Sequence, residues 1–184
     1  MAYDAESRRL LKEVARASIE HGLRHGRPLQ PDPADYPPPL RERRASFVTL
    51  KRGGELRGCI GSLEAGRPLV VDVAHNAYAA AFRDPRFPPL QPEELRDLEI
   101  SLSVLSPPEP LAFESEGDLL ARLRPGVDGL ILTDGHHRGT FLPSVWEQLP
   151  DPADFLRQLK LKAGLPPDHW SPGLRVERYT TESW

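Results

Sequence analysis

The chain has 184 residues, a formal net charge of −3 and a sequence pI of about 6.1. This charge argues against broad electrostatic binding to nucleic acid, which needs a basic surface. No apolar run approaches the roughly 18–20 residues that a membrane-spanning helix needs. The first residues include acidic side chains and no apolar stretch, so we expect no export signal and a cytoplasmic location. A single cysteine excludes an internal disulfide.

The first predicted element is an amphipathic helix over residues 4–25, in which apolar side chains recur at helical spacing. Gly26 is a natural stop for this helix. Residues 27–43 are rich in proline and are predicted to form an irregular or polyproline-like connection over the surface.

A hairpin and a helix are predicted next. Strands over residues 46–51 and 55–60 are separated by Gly53-Gly54, which is a strong hairpin signal. An alanine-rich helix follows over residues 68–83. It ends there because Asp84 precedes a proline and is disfavoured in the helical conformation.

The remaining sequence mixes helices with strands. The predicted elements are a strand over 98–105, a helix over 116–123, a hairpin from 127–133 and 138–142, a helical turn over 143–148, a helix over 152–163 and a strand over 174–179. This order favours an α+β fold with mixed, largely antiparallel sheets packed with helices. The pattern hairpin–helix–strand followed by helix–hairpin–helix indicates two lobes.

The segment LRGCIG, residues 56–61, holds the only cysteine and is the most informative motif. On a regular strand Arg57 and Cys59 point to one face, about 6.5–7 Å apart at their Cα atoms. A guanidinium at that position would favour the ionised thiolate. Gly58 and Gly61 remove side chains that would block a ligand from the backbone. The alternative is a buried, inert cysteine.

Two further segments could contribute groups. The loop after the alanine-rich helix offers an ion pair between Asp84 and Arg86, and the plainer interpretation is a locked turn at the helix end. Ser101 and Ser103 share one face of their predicted strand, opposite its apolar side chains. That face is either the solvent side of a sheet or, beside the cysteine strand, the lining of a cleft.

Histidines provide weaker candidates. His136 and His137 lie in a predicted turn, and a Cys–His pair would suit nucleophilic catalysis. Adjacent histidines in a turn are more often exposed, and His75 is predicted to be a surface or packing residue of its helix. One cysteine and scattered histidines lack the close pairs of a zinc site, so no metal is predicted. No phosphate loop or dinucleotide fingerprint occurs, and no cofactor is predicted.

The motifs LRGCIG, DPRF and TFLP, with the runs around them, resemble the AMMECR-one domain family over about residues 5–180. More narrowly, the chain resembles the prokaryotic branch called AmmeMemoRadiSam system protein A. The resemblance implies one α+β domain over residues 1–184, built of two subdomains with an undetermined boundary. It also implies a cleft between the two lobes, with the LRGCIG segment near it.

The resemblance carries specific positions and partners over to this chain. The positions are Arg57, Gly58, Cys59, Gly61, Asp84, Arg86, Phe87, Thr140 and Pro143. One departure is Ser46, where a glycine or other small residue is expected before the strand. The implied partners are a Memo-like protein, which resembles extradiol dioxygenases, and a radical-SAM protein. The family supplies no established reaction.

Three hypotheses follow. In the first, an enzyme uses Cys59 as nucleophile or acceptor, with Arg57 stabilising negative charge. In the second, a binding module holds a small anionic ligand or a partner's peptide, using Arg57, the amides near Gly58 and Gly61, and Arg86. In the third, an adaptor subunit presents or regulates the two partners and has no chemistry of its own. Neither nucleic acid nor a membrane is an expected partner.

Overall fold

The computed structural model describes residues 2–184, which divide into two compact units. The first unit contains residues 2–105 together with Glu182–Trp184, and the second is Ser106–Thr181. Within residues 2–184, no helix combines the length and apolar character that crossing a membrane requires.

The elements alternate between helices and antiparallel strand pairs, which confirms the predicted α+β class. The α-helices are α1 (Ala5–His25), α2 (Pro38–Arg41), α3 (Leu69–Phe82), α4 (Glu116–Arg122) and α5 (Pro152–Lys162). The strands are β1 (Ser46–Arg52), β2 (Glu55–Gly61), β3 (Leu98–Leu105), β4 (Glu109–Pro110), β5 (Gly129–Asp134), β6 (His137–Phe141), β7 (Arg175–Tyr179) and β8 (Thr181–Ser183). Short 3-10 turns span Pro33–Asp35, Pro92–Asp97 and Pro143–Glu147.

The first unit is a sheet of order β2-β1-β3-β8 whose core face packs against α1 and α3. Helix α1 begins where the Asp4 side chain accepts the Ser7 N–H, and it ends at Gly26 in the left-handed conformation, as predicted. The β1–β2 turn has positive φ at both Gly53 and Gly54, which suits a two-residue hairpin. Local turn chemistry and helical periodicity therefore produce the first layer of this unit.

The second unit is a sheet of order β4-β7-β5-β6 that packs against α5. Trp146 stacks on Phe155 with 3.7 Å between the ring centroids. The Trp146 Nε1–H donates to the carbonyl oxygen of Asp128 at 2.7 Å, so the buried indole has no unpaired donor. This aromatic pair fills the centre of the second core.

The proline-rich segment is more structured than predicted. It contains a 3-10 turn and helix α2, and Leu40 of that helix is fully buried in the first core. Its carboxyl end is fixed by a hydrogen bond from the Leu69 N–H to the Glu42 carbonyl oxygen. Prolines occupy first-turn positions of these short helices, where a missing N–H has no cost. The segment is therefore part of the packed unit.

The contact between β2 and α3 gives a testable requirement. A Cβ atom added to Gly58 would lie 2.1 Å from the carbonyl oxygen of Ala80 in α3. We expect Gly58→Ala to lower the free energy of unfolding by about 1–3 kcal/mol, because backbone must move to accept the methyl group. Urea denaturation at constant m-value measures the change.

The matched control for this variant is Gly66→Ala. A Cβ atom at Gly66 meets nothing within 4 Å and the residue has no positive φ. This control should unfold within about 0.5 kcal/mol of the parent. Equal stability of both variants would contradict the close approach of α3 to β2.

Candidate functional site

Cys59 lies on β2, the edge strand of the first sheet, and its side chain projects from the face opposite the core. It is paired with Thr49 in β1, and the neighbouring Val48 and Leu50 point into the core. The Cys59 Sγ lies 3.3 Å from the Thr49 Oγ1, and the cysteine is half-buried. The sulfur is therefore neither enclosed by aliphatic groups nor fully open to solvent.

The main chain of Cys59 is held from outside the sheet by the loop that follows α3. Its N–H donates to the Asp84 Oδ2 at 3.0 Å, and the Arg86 Nη2 donates to its carbonyl oxygen at 3.5 Å. Arg86 also donates to both carboxylate oxygens of Asp84, from Nε at 3.0 Å and from Nη2 at 2.7 Å. The structure thus brings together three of the residues selected from the sequence.

The Asp84–Arg86 pair has an asymmetric environment. The Asp84 side chain is 2% exposed, whereas that of Arg86 is 56% exposed. Hydrogen bonds from the Arg86 side chain, with the Cys59 N–H adding to them, hold the pKa of Asp84 far below its ordinary value of 3.8. Donation to Asp84 raises the pKa of Arg86, and the charge of an ionised Cys59 acts in the same direction. Arg86 is therefore a permanent cation close to the sulfur.

Arg57 does not have the predicted place beside the thiol. The β1–β2 register shifts between Leu50 and Lys51, so a bulge interrupts the regular alternation at Arg57. The Arg57 Nε and Nη2 instead donate to the Glu94 carboxylate at 2.8 and 3.1 Å, and Nη2 also donates to the Pro88 carbonyl oxygen. The prediction of one regular face shared by Arg57 and Cys59 is wrong.

The ion pair of Arg57 has a structural role. Its side chain is 10% exposed, and the hydrogen bonds that it donates are the main reason that the pKa of Glu94 is lowered. Arg52 of β1 donates to the same carboxylate and to Asp97. These contacts join the hairpin to the segment Pro92–Asp97. They also occupy the Arg57 guanidinium, which was expected from the sequence to stabilise negative charge at the thiol.

The two glycines around Cys59 are explained by packing within the protein. Gly58 faces α3, as described above, and a Cβ atom on Gly61 would lie 2.2 Å from the Phe47 ring. The close approach predicted at both positions exists, but protein atoms make it. No ligand is needed to account for either glycine.

Small hydroxyl groups extend from Cys59 across the outer face of the sheet. Thr49 lies opposite Ser101 of β3, and the Ser103 Oγ is 2.7 Å from the Ser183 Oγ of β8. The prediction that the two serines share the non-core face is confirmed by the register and by the burial of Leu102. The hydroxyl groups on this face are uncharged, and β1 lies between the cysteine and the two serines.

Thr140 belongs to the second unit and is used there. Its Oγ1 donates to the Leu130 carbonyl oxygen at 2.8 Å and lies 3.0 Å from the Tyr179 hydroxyl. Burial raises the pKa of Tyr179 to about 12, so the hydroxyl remains a neutral hydrogen-bonding group. Pro143 begins a 3-10 turn. The TFLP motif therefore builds the β6 end of the second sheet.

The histidines do not form a pair with the thiol. His75 is an exposed residue of α3, His136 lies in the β5–β6 turn, and His137 is the first residue of β6, with its Nδ1 3.2 Å from the Ala163 carbonyl oxygen. Among residues 2–184, no three His, Cys, Asp or Glu side chains are grouped so that they could hold a metal ion.

Sequence reasoning missed a buried polar cluster at the end of β2. The Asp72 carboxylate accepts from Ser46 at 2.6 Å, from Ser62 at 3.0 Å, from Arg67 at 2.8 Å and from Asn76 at 3.0 Å. The departure at Ser46 is thus a hydrogen-bonding group. The available signal was the i, i+4 spacing of Asp72 and Asn76 within an otherwise apolar helix.

Asp84→Asn tests the clamp on Cys59. At pH 7 we expect the variant to be about 1.5–3 kcal/mol less stable, because hydrogen bonds to a charged group are lost from a buried site. The native pKa of Asp84 is depressed, so the advantage of the carboxylate is complete above its ordinary pKa of 3.8 and is lost as the pH falls below it. Denaturant unfolding of both proteins between pH 7 and pH 3 measures the difference.

The control for this series is Asp35→Asn, which removes an exposed carboxylate from the proline-rich segment. It should change the stability little at any pH. A stability difference between parent and Asp84→Asn that stays constant down to pH 3 would contradict the ionised clamp.

Comparison with known proteins finds relatives that match most of the chain. The AMMECR1 family profile matches residues 12–184. A protein of Methanothermobacter thermautotrophicus is 46% identical over 176 residues, which cover 95% of this chain and 91% of that protein. A protein of Thermotoga maritima is 41% identical over 169 residues, covering 90% and 91%. The crystal structure of the uncharacterised protein PH0010 from Pyrococcus horikoshii has a TM-score of 0.86 and 38% identity, covering 94% of this chain and 88% of that one. The chain belongs to the AMMECR1 family, the AMMECR-one family that its motifs indicated.

Proposed function

We propose that this protein is a ligand-binding or catalytic component whose site is a cleft at the LRGCIG motif, centred on Cys59. The observation that carries the proposal is that the main chain of Cys59 is tightly held, whereas its sulfur is not. Its N–H and carbonyl oxygen are both held by the Asp84–Arg86 pair, whereas its sulfur has one weak polar contact, to Thr49. The clamp fixes the main chain that carries the thiol next to an exposed cation, a fixed geometry of the kind that binding and catalytic sites need.

The chemistry supported by this arrangement is recognition of a small anion beside a thiol. Arg86 is ionised, more than half exposed and bonded to the same residue that carries the sulfur. An anionic group placed against this guanidinium would approach the Sγ of Cys59, and the neighbouring Thr49 hydroxyl could donate to it. In this proposal Arg86 takes the role that the sequence assigned to Arg57.

The thiol role is tested by alkylation of folded protein with two reagents of similar size. Iodoacetate carries a negative charge and iodoacetamide is neutral. We expect Arg86→Gln to lower the ratio of the iodoacetate rate to the iodoacetamide rate at pH 7 by about threefold to tenfold, because the cation that attracts the anionic reagent is lost. Mass spectrometry of the Cys59 peptide measures both rates.

Arg83→Gln is the matched control, since Arg83 is an exposed arginine of the same loop and lies over Tyr78. It should leave the ratio unchanged. Labelling slower than that of the unfolded chain with both reagents, together with an unchanged ratio in Arg86→Gln, would contradict a reactive thiol beside a cation.

We also propose that the protein acts as the A component beside a Memo-like protein and a radical-SAM protein. The support is family membership together with the resemblance of LRGCIG, DPRF and TFLP to that branch. Co-expression of the tagged chain with both proteins from the same genome should yield a complex on affinity purification.

Cys59→Ala distinguishes an A component with its own site from an A component that is only an adaptor. A complex that forms with Cys59→Ala but loses the activity of the parent complex would support a site in this subunit. Unchanged complex formation and unchanged activity would instead support the adaptor role. Recovery of the tagged chain alone under all conditions would contradict the partnership.

A further inference from the structure

The second unit contains a cavity of about 770 Å³ at the edge of its sheet. The cavity opens where the chain leaves β4 and runs along Pro110–Glu114. The opposite wall consists of the loop around Trp170 and the first residues of β7, and buried Leu174 and Val176 contribute apolar surface. This volume is in the range of small-molecule sites.

Two aromatic rings form one corner of the cavity. Trp170 and Phe113 have ring centroids 5.5 Å apart and planes inclined by 57°. Trp170 is 38% exposed, which is a large apolar surface to leave facing solvent. Inclined aromatic walls of this kind receive alkylated ammonium groups, which are attracted to the ring faces.

The exposed tryptophan is held in place by its neighbours. The Asp134 Oδ2 accepts from the His169 Nε2 at 2.6 Å and from the Ser171 Oγ at 2.7 Å. These two residues flank Trp170, so one carboxylate at the end of β5 fixes the chain on both sides of the tryptophan. An exposed ring that is fixed in advance loses little entropy when a ligand packs against it.

The charge behind Trp170 is already balanced. The fully buried Lys160 has its Nζ 5.6 Å from the Trp170 ring centroid and 3.3 Å from the Glu116 Oε1. Lysine and glutamate neutralise each other at that position. The charges available to a ligand are therefore those that line the cavity itself.

The cavity contains charges of both signs without partners. Arg175 and Glu177 are two residues apart on β7 and project from the face opposite Val176, about 6.5–7 Å apart at their Cα atoms. Within residues 2–184, neither side chain has a hydrogen bond or an ion pair. Glu114 adds a further carboxylate at the mouth. A ligand with both charges would satisfy these groups, whereas a simple cation or anion would leave one of them opposed.

We propose that this cavity binds a betaine-type zwitterion, with an alkylated ammonium against Trp170 and Phe113 near Glu114, which follows Phe113 in the chain, and a carboxylate paired with Arg175. This site is independent of Cys59 and of the function proposed for it.

The test is titration of the full chain with three probes, followed at the Trp170 indole N–H by NMR. The probes are 4-(trimethylammonio)butanoate, tetramethylammonium and butanoate. We expect saturable binding of the zwitterion at least tenfold tighter than that of either single charge. Arg175→Gln should reduce zwitterion affinity about tenfold without weakening tetramethylammonium binding, because it removes a cation, and Glu114→Gln should weaken the binding of both.

Glu109→Gln is the control, because Glu109 is an exposed acid of β4 outside this cavity. It should leave all affinities unchanged. All variants are checked for native circular dichroism, and Trp170→Phe, which keeps an aromatic wall, should retain part of the binding measured by calorimetry. Two outcomes would overturn the proposal. One is that the zwitterion fails to saturate the site at about 50 mM, which far exceeds the Kd of a specific site. The other is equal zwitterion affinity in Arg175→Gln and the parent.

Discussion

The Asp84 carboxylate is the group on which the geometry around Cys59 depends. It accepts the N–H of an edge strand and at the same time binds the guanidinium of Arg86. An edge strand leaves main-chain donors and acceptors without partners, and this loop supplies them. Because the carboxylate is almost entirely buried, its charge is stable only while these donors remain. The same bonds therefore protect the edge and place a cation near the thiol.

Packing on the other side of β2 makes this arrangement rigid. The strand approaches α3 at Gly58, and the bulge at Arg57 directs the Arg57 guanidinium toward Glu94. Protein interiors packed in this way resist small displacements. The position of the sulfur is therefore determined by the contact of β2 with α3 and by the bonds from the Asp84 loop at the edge of the strand. A site built from such a strand needs little rearrangement when a ligand binds.

Most helices and long strands were predictable from the sequence because each has a local signal. Gly53-Gly54 marks the hairpin and Gly26 ends α1, and the structure has both at the expected places. The short strands β4 and β8 were missed because two or three residues carry no readable alternation. The 3-10 turn and α2 were missed because proline composition masks first-turn positions.

The candidate site was predictable in its members but only partly in its geometry. The motifs located Cys59, Asp84 and Arg86, which the structure brings together. They misplaced Arg57, since a register shift is set by pairing with β1 and has no signature in β2 alone. The exposed Trp170 also escaped, because the bonds that fix its loop come from Asp134, far away in the chain.

The return of the chain to its first sheet has a consequence for biosynthesis. Strand β8 follows the second unit in the chain, and Trp184 exchanges two main-chain hydrogen bonds with Leu102 of β3 across a separation of some eighty residues. The Tyr3 N–H also donates to the Glu182 carboxylate, so the residues before α1 contact β8 as well. Closing so long a loop is entropically slow, and β8 can pair with β3 only after the whole second unit has been synthesised. A growing chain therefore carries an unpaired β3 edge while the second unit is made, and chaperone protection matters most during that interval.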